Sequence, residues 1–203
     1  MKLGLGLYRH MLTPDNFRFA RQVGATHIVA HLVDYFKDGA HATWDNQPTG
    51  AKGVWGRAGD PDQLWTVEEL LALRQNVEGA GLKLEAIENF DPAHWHDVLL
   101  DGPKKRAQLE NVKTIIRRLG EAGIPILGYN FSIAGVCGRS TGPYARGGAE
   151  SVGVFAKYDE PMPKGQAWNM IYDEHAPAGN VPPATPEQLW GRVGEFLREA
   201  LPV

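Results

Sequence analysis

The sequence contains a single cysteine, Cys137, among its 203 residues. One cysteine cannot form an internal disulfide, and its scarcity is typical of a protein in the reducing cytosol, so we expect a cytoplasmic location. The apolar runs are too short to span a bilayer, and the first residues lack the apolar core and cleavage site of a secretion signal. The sequence therefore predicts neither membrane insertion nor secretion.

The chain also lacks an excess of either charge. The formal net charge of −3 gives no electrostatic reason to expect binding to nucleic acid or to an acidic membrane surface. The glycine-rich stretch 135–148 has neither a phosphate-loop motif nor the glycine spacing of a dinucleotide-binding fold. These absences give no reason to expect a nucleotide, a nucleic acid or a membrane as the partner.

Short apolar segments alternate with helical patterns along the chain. Strands are expected at 3–8, 26–32, 82–87 and 124–131, and helices are expected to begin near Thr13, Thr66, Asp101 and Thr185. Thr13 precedes a proline and an aspartate, and Thr66 precedes Glu69 at the spacing of a capping box. The alternation predicts an α/β fold with a parallel sheet.

Four β/α units amount to half of a (β/α)8 barrel of the TIM type. We expect residues 1–203 to form a single partial TIM-barrel domain with long rim loops at about 33–64 and 132–184. The last helix runs into Leu201, Pro202 and Val203 without a cap. We therefore expect either a fragment of a full barrel or a natural half-barrel. An open sheet exposes its edge strands, so a homo-oligomer is also expected.

Polar side chains follow each expected strand, where barrels of this type hold their active sites. They are Tyr8, Arg9 and His10; His31 and Asp34; Glu88 and Asn89; and Tyr129 and Asn130. Glu88 is the favoured acid/base or polar anchor, and simple alternation predicts that it points away from the face of Glu85. The alternative is a structural pair with Arg9. Arg9 has two possible roles. It either binds the carboxylate of a ligand through two hydrogen bonds or forms a structural ion pair with Glu88 or Asp34.

Two histidines and a further arginine complete the candidates. His94 and His96 follow Asp91, Pro92 and Ala93, which we interpret as a loop or turn. A spacing of two puts both rings on one face only in a strand, so a metal pair is not favoured. One of the two histidines is expected to contact a substrate hydroxyl or carboxylate; the alternative is a pair of ordinary loop histidines. Arg139, in a glycine-rich loop, is expected to bind an anionic substrate.

Several segments resemble the mannonate dehydratase family. They are Ala86 to Phe90, Lys113 to Arg117, Ala122 to Phe131, Gln188 to Trp190 and Phe196 to Val203. The resemblance runs along nearly the whole chain but covers only about the first half of such an enzyme. It implies a metal-dependent (β/α)8 barrel related to the xylose-isomerase-like enzymes, which dehydrates D-mannonate to 2-keto-3-deoxy-D-gluconate in hexuronate catabolism. The implied metal is Mn²⁺.

The resemblance also assigns roles by position. It implies that a substrate pocket is lined by Arg9, Glu88, His94 or His96, Asn130 and Arg139. The family's metal ligands and its catalytic residues belong to the second half of the enzyme, so no metal ligand is expected in this chain and its catalytic residues stay unknown. Two alternatives are a sugar isomerase or epimerase on the same barrel, and a non-catalytic half-barrel that binds sugar acids.

Overall fold

The computed structural model describes residues 1–33, 59–130, 139–154, 166–167, 170–171 and 185–203. The chain divides into two compact units, the first made of residues 1–34, 59–131 and 186–203 and the second of residues 35–58 and 132–185. The second unit nearly coincides with the two segments expected to be rim loops. That residues 1–203 form a single domain remains a prediction.

The first unit carries the main sheet and its helices. Its strands are β1 (Gly4–Tyr8), β2 (His27–His31), β3 (Lys83–Glu88) and β4 (Ile126–Gly128). Its helices are α1 (Pro14–Gln22), α2 (Val67–Gly79), α3 (Pro92–Leu100), α4 (Lys105–Glu121) and α5 (Pro186–Ala200). The strands are all parallel and lie in the order β1-β2-β3-β4. The predicted α/β class with a parallel sheet is confirmed.

The two faces of this sheet differ sharply in burial. Leu7, Ile28, Ala30 and Ile87 are at most 3% exposed, whereas Ile126 on the other face is 47% exposed. Each large apolar side chain removed from water contributes about 1.5–3 kcal/mol, so the buried face supplies much of the unit's stability. Right-handed crossovers between parallel strands place the connecting helices on that face.

A bulge in β3 changes the predicted side-chain pattern. The pairing of β2 with β3 shifts between Ile28 and Val29, so that Glu85 is an extra residue. Glu85 contacts His27, and Glu88 contacts His31. The two histidines are four residues apart in an unbroken strand and therefore share a face. The expectation that the two carboxylates point to opposite faces is wrong, because the bulge resets the alternation.

The helix starts follow the capping residues. Thr13 caps α1 by accepting from the Asn16 amide, and Thr66 and Glu69 form a reciprocal capping box at the start of α2. Residues 91–93, interpreted as a loop or turn, instead begin α3: the Asp91 carboxylate accepts from the Ala93 amide, and Pro92 occupies the first helical position. An acidic cap followed by proline is a helix-start signal, and the loop interpretation overlooked it.

Helix α4 begins at Lys105, a few residues after the predicted start near Asp101. Its buried apolar face is formed by Leu109, Val112, Ile115 and Leu119, whereas Ile116 is only partly buried. Helix α5 is held against α4 by ion pairs of Glu195 with Lys105 and of Glu199 with Lys113. These pairs orient two helices whose contact is otherwise largely apolar.

Arginines of three helices donate to backbone carbonyls at or just beyond the end of a neighbouring helix. Arg21 of α1 donates to the Gly81 carbonyl at 2.7 Å, Arg74 of α2 to the Ala122 carbonyl at 3.0 Å, and Arg192 of α5 to the Leu99 carbonyl at 3.0 Å. The carbonyls at helix ends lack helical partners, so a guanidinium satisfies them and holds the adjacent helices together.

The second unit contains two small antiparallel pairs. Strand β5 (Arg139–Gly142) pairs with β6 (Ser151–Val154), and β7 (Gln166–Ala167) pairs with β8 (Met170–Ile171). In the described parts of the chain, no helix combines the length and the apolar character needed to cross a membrane.

Two glycines near the end of α4 provide a matched test of the backbone. Gly123 has a φ of 68°, where a side chain is strained, whereas Gly120 lies in the helix with open space around its Cα. We expect Gly123→Ala to lower the free energy of unfolding by about 1–2 kcal/mol and Gly120→Ala to raise it by about 0.5–1 kcal/mol. Urea denaturation measures both. Equal effects of the two variants would contradict the assignment of the helix end.

Candidate functional site

The carboxyl ends of the first three strands bring three polar side chains together. The Nε2 atom of His31 lies 3.2 Å from the Oε2 atom of Glu88, and the rings of Tyr8 and His31 are 5.0 Å apart between centroids. The sheet register causes this meeting, because Tyr8 pairs directly with His31 and the end of β3 lies beside them. We call Tyr8, His31 and Glu88 the strand-end cluster.

Burial and the Glu88 charge act together on the cluster. Burial lowers the pKa of His31, and the Glu88 carboxylate opposes that shift only in part. Burial and the same carboxylate raise the pKa of Tyr8. At neutral pH both His31 and Tyr8 are therefore uncharged.

Glycines leave room beside these side chains. A Cβ added at Gly6 meets the His31 ring at 3.7 Å, and one added at Gly128 meets the Glu88 Cγ atom at 3.6 Å. The Glu88 side chain remains 46% exposed, compared with 15% for His31. Glu88 is thus the member of the cluster that a ligand contacts most readily.

Three further candidate residues follow the ends of β1, β3 and β4. Arg9 follows β1 and donates to the Leu32 carbonyl at 3.2 Å. Asn130, two residues beyond β4, is exposed. Asn89, next to Glu88, is buried and has a φ of 68°, an uncommon conformation outside glycine. Such strain is concentrated at functional sites, and here it immediately follows the Glu88 carboxylate.

His94 lies on α3, where the protein encloses its ring. The side chain is 2% exposed, and its Nε2 atom donates to the Asp60 carbonyl at 3.2 Å. The edge of the ring meets Trp65 at a centroid distance of 6.4 Å. Together with the Asp91 carboxylate, which accepts from the Gly59 amide at 2.9 Å, this contact fastens residues 59–65 to the start of α3.

His96 belongs to a buried polar network between α3 and α4. Its Nδ1 atom donates to the Pro92 carbonyl at 2.8 Å, and the Gln108 amide lies 3.1 Å from the same ring. The Gln108 side-chain oxygen accepts from the Asp97 amide, and the Asp97 carboxylate accepts from the Lys104 amide, each at 2.7 Å. The contact of either His94 or His96 with a substrate stays a prediction.

An aromatic group supports this edge of the unit from α3 and α5. The Phe196 ring lies 4.9 Å from Tyr129 and 5.8 Å from Trp95, and Phe90 lies 5.0 Å from Trp95, all between centroids. These rings anchor the segments that leave β3 and β4, including Asn89 and Asn130.

The remaining candidate residues lie elsewhere in the chain. Asp34 and Cys137 are outside the described residues, and Arg139 is described only as the first residue of β5 in the second unit. In the strand-end cluster, Tyr8 and His31 join Glu88. Both were named among the polar side chains after the strands, but neither was among the residues expected to line the substrate pocket. The signal available for both was their position as the last residue of a parallel strand.

Comparisons with known proteins identify the family. The family model described as D-mannonate dehydratase (UxuA) matches residues 37–168, which is more than half of the chain. The chain belongs to the mannonate dehydratase family. The resemblance inferred from its sequence segments is therefore confirmed.

Relatives of this mannonate dehydratase family chain match it locally. The mannonate dehydratase of Streptococcus suis (strain 05ZYH33) is 45% identical over 69 residues, which is 34% of this chain and 18% of the relative. That of Thermotoga petrophila is 40% identical over 87 residues, which is 42% of this chain and 24% of the relative. The matched segments thus span less than a quarter of these relatives' lengths.

A solved structure extends the likeness to the fold. The crystal structure of mannonate dehydratase from Streptococcus suis serotype 2 superposes with a TM-score of 0.58 at 23% identity, covering 100% of this chain and 50% of that chain. At this identity the likeness concerns the fold. This chain therefore spans half the length of that solved relative.

A divalent metal is expected for the family, and such an ion needs several side-chain ligands close together. Among the described residues, no group of three or more His, Cys, Asp or Glu side chains is placed to hold a metal ion. The strand-end cluster offers one imidazole and one carboxylate, fewer ligands than a protein metal site uses. The described residues do not fit a metal ion, and no chemical step is derived through one.

The cluster's electrostatics can be tested by titration. We expect the His31 pKa to lie below its ordinary value of 6.5 and to fall further in Glu88→Gln, because the variant removes the charge that stabilises the imidazolium. Histidine NMR titration measures both. Glu85→Gln, which changes the carboxylate beside His27, should leave the His31 pKa unchanged. A His31 pKa above 6.5 in the wild type would contradict the buried, neutral state.

The same shift predicts how stability depends on pH. Unfolded His31 binds a proton more readily than folded His31, so this group lowers the stability of the fold as the pH falls below about 6.5. Replacing His31 by glutamine should weaken this acid sensitivity in urea denaturation at successive pH values.

The anchor of α3 is testable by matched variants of Asp91. Asp91→Ala removes the helix cap and the acceptor of the Gly59 amide, and we expect a loss of about 1–2 kcal/mol in the free energy of unfolding. Asp91→Asn keeps a capping oxygen and should lose clearly less. Urea denaturation compares the two; equal losses would mean that the cap is not the relevant contact.

Proposed function

We propose that this chain supplies the substrate-binding wall of a mannonate dehydratase, a hydro-lyase that converts D-mannonate to 2-keto-3-deoxy-D-gluconate. Family membership supports the reaction class, and the strand-end cluster is the observation that supports the location of the site. Polar side chains at the carboxyl ends of parallel strands form the active sites of β/α barrels. The parallel four-stranded sheet suits half of such a (β/α)8 barrel, with one face packed under helices.

The roles of the side chains follow from their chemistry. Glu88 accepts hydrogen bonds from substrate hydroxyls, and Asn130 offers both a donor and an acceptor. Arg9 binds the substrate carboxylate, since a guanidinium matches that group in shape and charge. His94, His96 and Arg139 remain predicted substrate contacts. The proton-transfer groups of the dehydration are not assigned to residues of this chain.

Further properties belong to the same proposal. The family's metal dependence, with Mn²⁺ as the expected ion, requires ligands beyond the described residues. A sugar acid is the proposed partner, and formation of a homo-oligomer, a cytoplasmic location and the lack of binding to nucleic acid or membranes remain predictions. Hexuronate catabolism is the proposed metabolic setting.

The proposal predicts the outcome of a direct assay. The chain should bind D-mannonate, and Glu88→Ala should weaken that binding by roughly tenfold or more, because a charge-assisted hydrogen bond is lost. Isothermal titration calorimetry measures the binding, and release of a 2-keto acid is followed beside it, with and without Mn²⁺. Glu85→Ala, which alters the other carboxylate of β3, serves as the control and should retain binding.

Binding is measured beside turnover. D-mannonate binding that stays without turnover even when the second half of a family enzyme is supplied supports the alternative of a non-catalytic sugar-acid module. A product whose carbonyl is rearranged without loss of water supports an isomerase or epimerase. If the folded chain neither binds nor converts D-mannonate, the proposed function fails.

A further inference from the structure

Among the residues that the structure describes, the ion-pair contact of Glu88 in the strand-end cluster is with His31. Burial lowers the pKa of His31, so at neutral pH the imidazole beside the carboxylate carries no positive charge. Tyr8 is neutral as well, because burial and the Glu88 charge raise its pKa. A ligand approaching the exposed part of Glu88 therefore meets a carboxylate beside two neutral rings.

A carboxylate in this state discriminates between the two kinds of oxygen on a sugar acid. It can only accept hydrogen bonds, so it attracts a hydroxyl, which donates. It repels a second carboxylate. A ligand that places a carboxylate beside Glu88 therefore binds several-fold to many-fold more weakly than one that places a hydroxyl there. The group beside Glu88 is thus restricted to a hydroxyl.

We propose that Glu88, held in place by His31, fixes the orientation of an open-chain sugar acid: a hydroxyl of the acid lies on Glu88, and its carboxylate lies away from β3. Glu88 is then a specificity-determining residue that rejects acids with a carboxylate at both ends. This inference rests on the proposed function and adds the direction in which the substrate binds.

The surroundings of His31 make it the positioning residue. Its ring lies between the Tyr8 ring, 5.0 Å away between centroids, and the backbone of Gly6. Its Nε2 atom holds the Oε2 atom of Glu88 at 3.2 Å. The other carboxylate oxygen is the one that we assign to the ligand, and Gly128 gives the Glu88 side chain space on its other side.

Arg9 fits the opposite role. It follows β1, and Glu88 ends β3, so the two residues belong to strands separated by β2. The Arg9 guanidinium donates to the Leu32 carbonyl just beyond β2, so the cation lies on the β2 side of Glu88. A cation on that side and the Glu88 carboxylate at the end of β3 define a direction for a molecule with a carboxylate at one end and a hydroxyl at the other.

The test compares two ligands that differ only in that end. D-mannonate has one carboxylate, and D-mannarate replaces the terminal hydroxymethyl group by a second carboxylate. Isothermal titration calorimetry should show that the 203-residue chain binds D-mannonate roughly tenfold or more tightly than D-mannarate. In Glu88→Gln the preference should shrink below about threefold, because the amide is uncharged.

Matched variants separate this role from a structural one. Glu85→Gln changes the other carboxylate of β3 and should keep the preference. His31→Leu should weaken D-mannonate binding, and His31→Gln, which retains a donor, should restore most of it. If a variant does not fold, NMR of the wild-type chain tests the same point. D-mannonate should shift the His31 NMR signals, and D-mannarate at the same concentration should shift them far less.

Each outcome bears on a different claim. Equal affinity of the wild type for both ligands, or an unchanged preference in Glu88→Gln, overturns the orientation and leaves the proposed function standing. A folded wild-type chain that binds neither ligand overturns the proposed function itself, and the orientation with it.

Discussion

The register of the parallel sheet determines which side chains can meet at its carboxyl edge. Tyr8 and His31 are directly paired, and Glu88 is paired with Gly128, so four strand ends form one row. The bulge at Glu85 is part of this constraint. Without the extra residue, the alternation of β3 would turn Glu88 toward the buried face, where a carboxylate has no water and no partner.

Burying polar groups behind that edge requires that they satisfy one another. Helix α3 is buried along most of its length, and it contains His94, His96 and Asp97. Asp97 and Gln108 connect α3 to α4 through backbone amides, and Gly102 leaves the space that the Asp97 carboxylate occupies. The hydrogen bonds of Asp97 and Gln108 fix one arrangement of the two helices. The site edge is thus held by hydrogen bonds as well as by apolar packing.

Local signals predicted the elements, whereas long-range contacts decided the details of the site. The caps at Thr13 and Thr66 are local, and the strand-helix alternation is periodic, so the sequence alone predicts the parallel α/β unit correctly. The start of helix α3 is also signalled locally, by Asp91 and Pro92, although the sequence analysis predicts a loop or turn there. The bulge could not be predicted, because it depends on the pairing of β3 with β2. The burial of His96 likewise depends on Gln108, twelve residues away in the sequence.

The choice of a histidine beside Glu88 has a physical consequence. An arginine or lysine at position 31 would stay protonated when partly buried beside a carboxylate and would neutralise it. A histidine under a tyrosine ring loses its proton instead, because burial outweighs the attraction of Glu88. Its Nε2 atom still contacts the Oε2 atom of Glu88 at 3.2 Å and so positions the carboxylate without cancelling its charge. The same burial that stabilises the sheet edge therefore leaves Glu88 beside a neutral imidazole. A carboxylate accepts hydrogen bonds and cannot donate them, which is what distinguishes a hydroxyl from a second carboxylate.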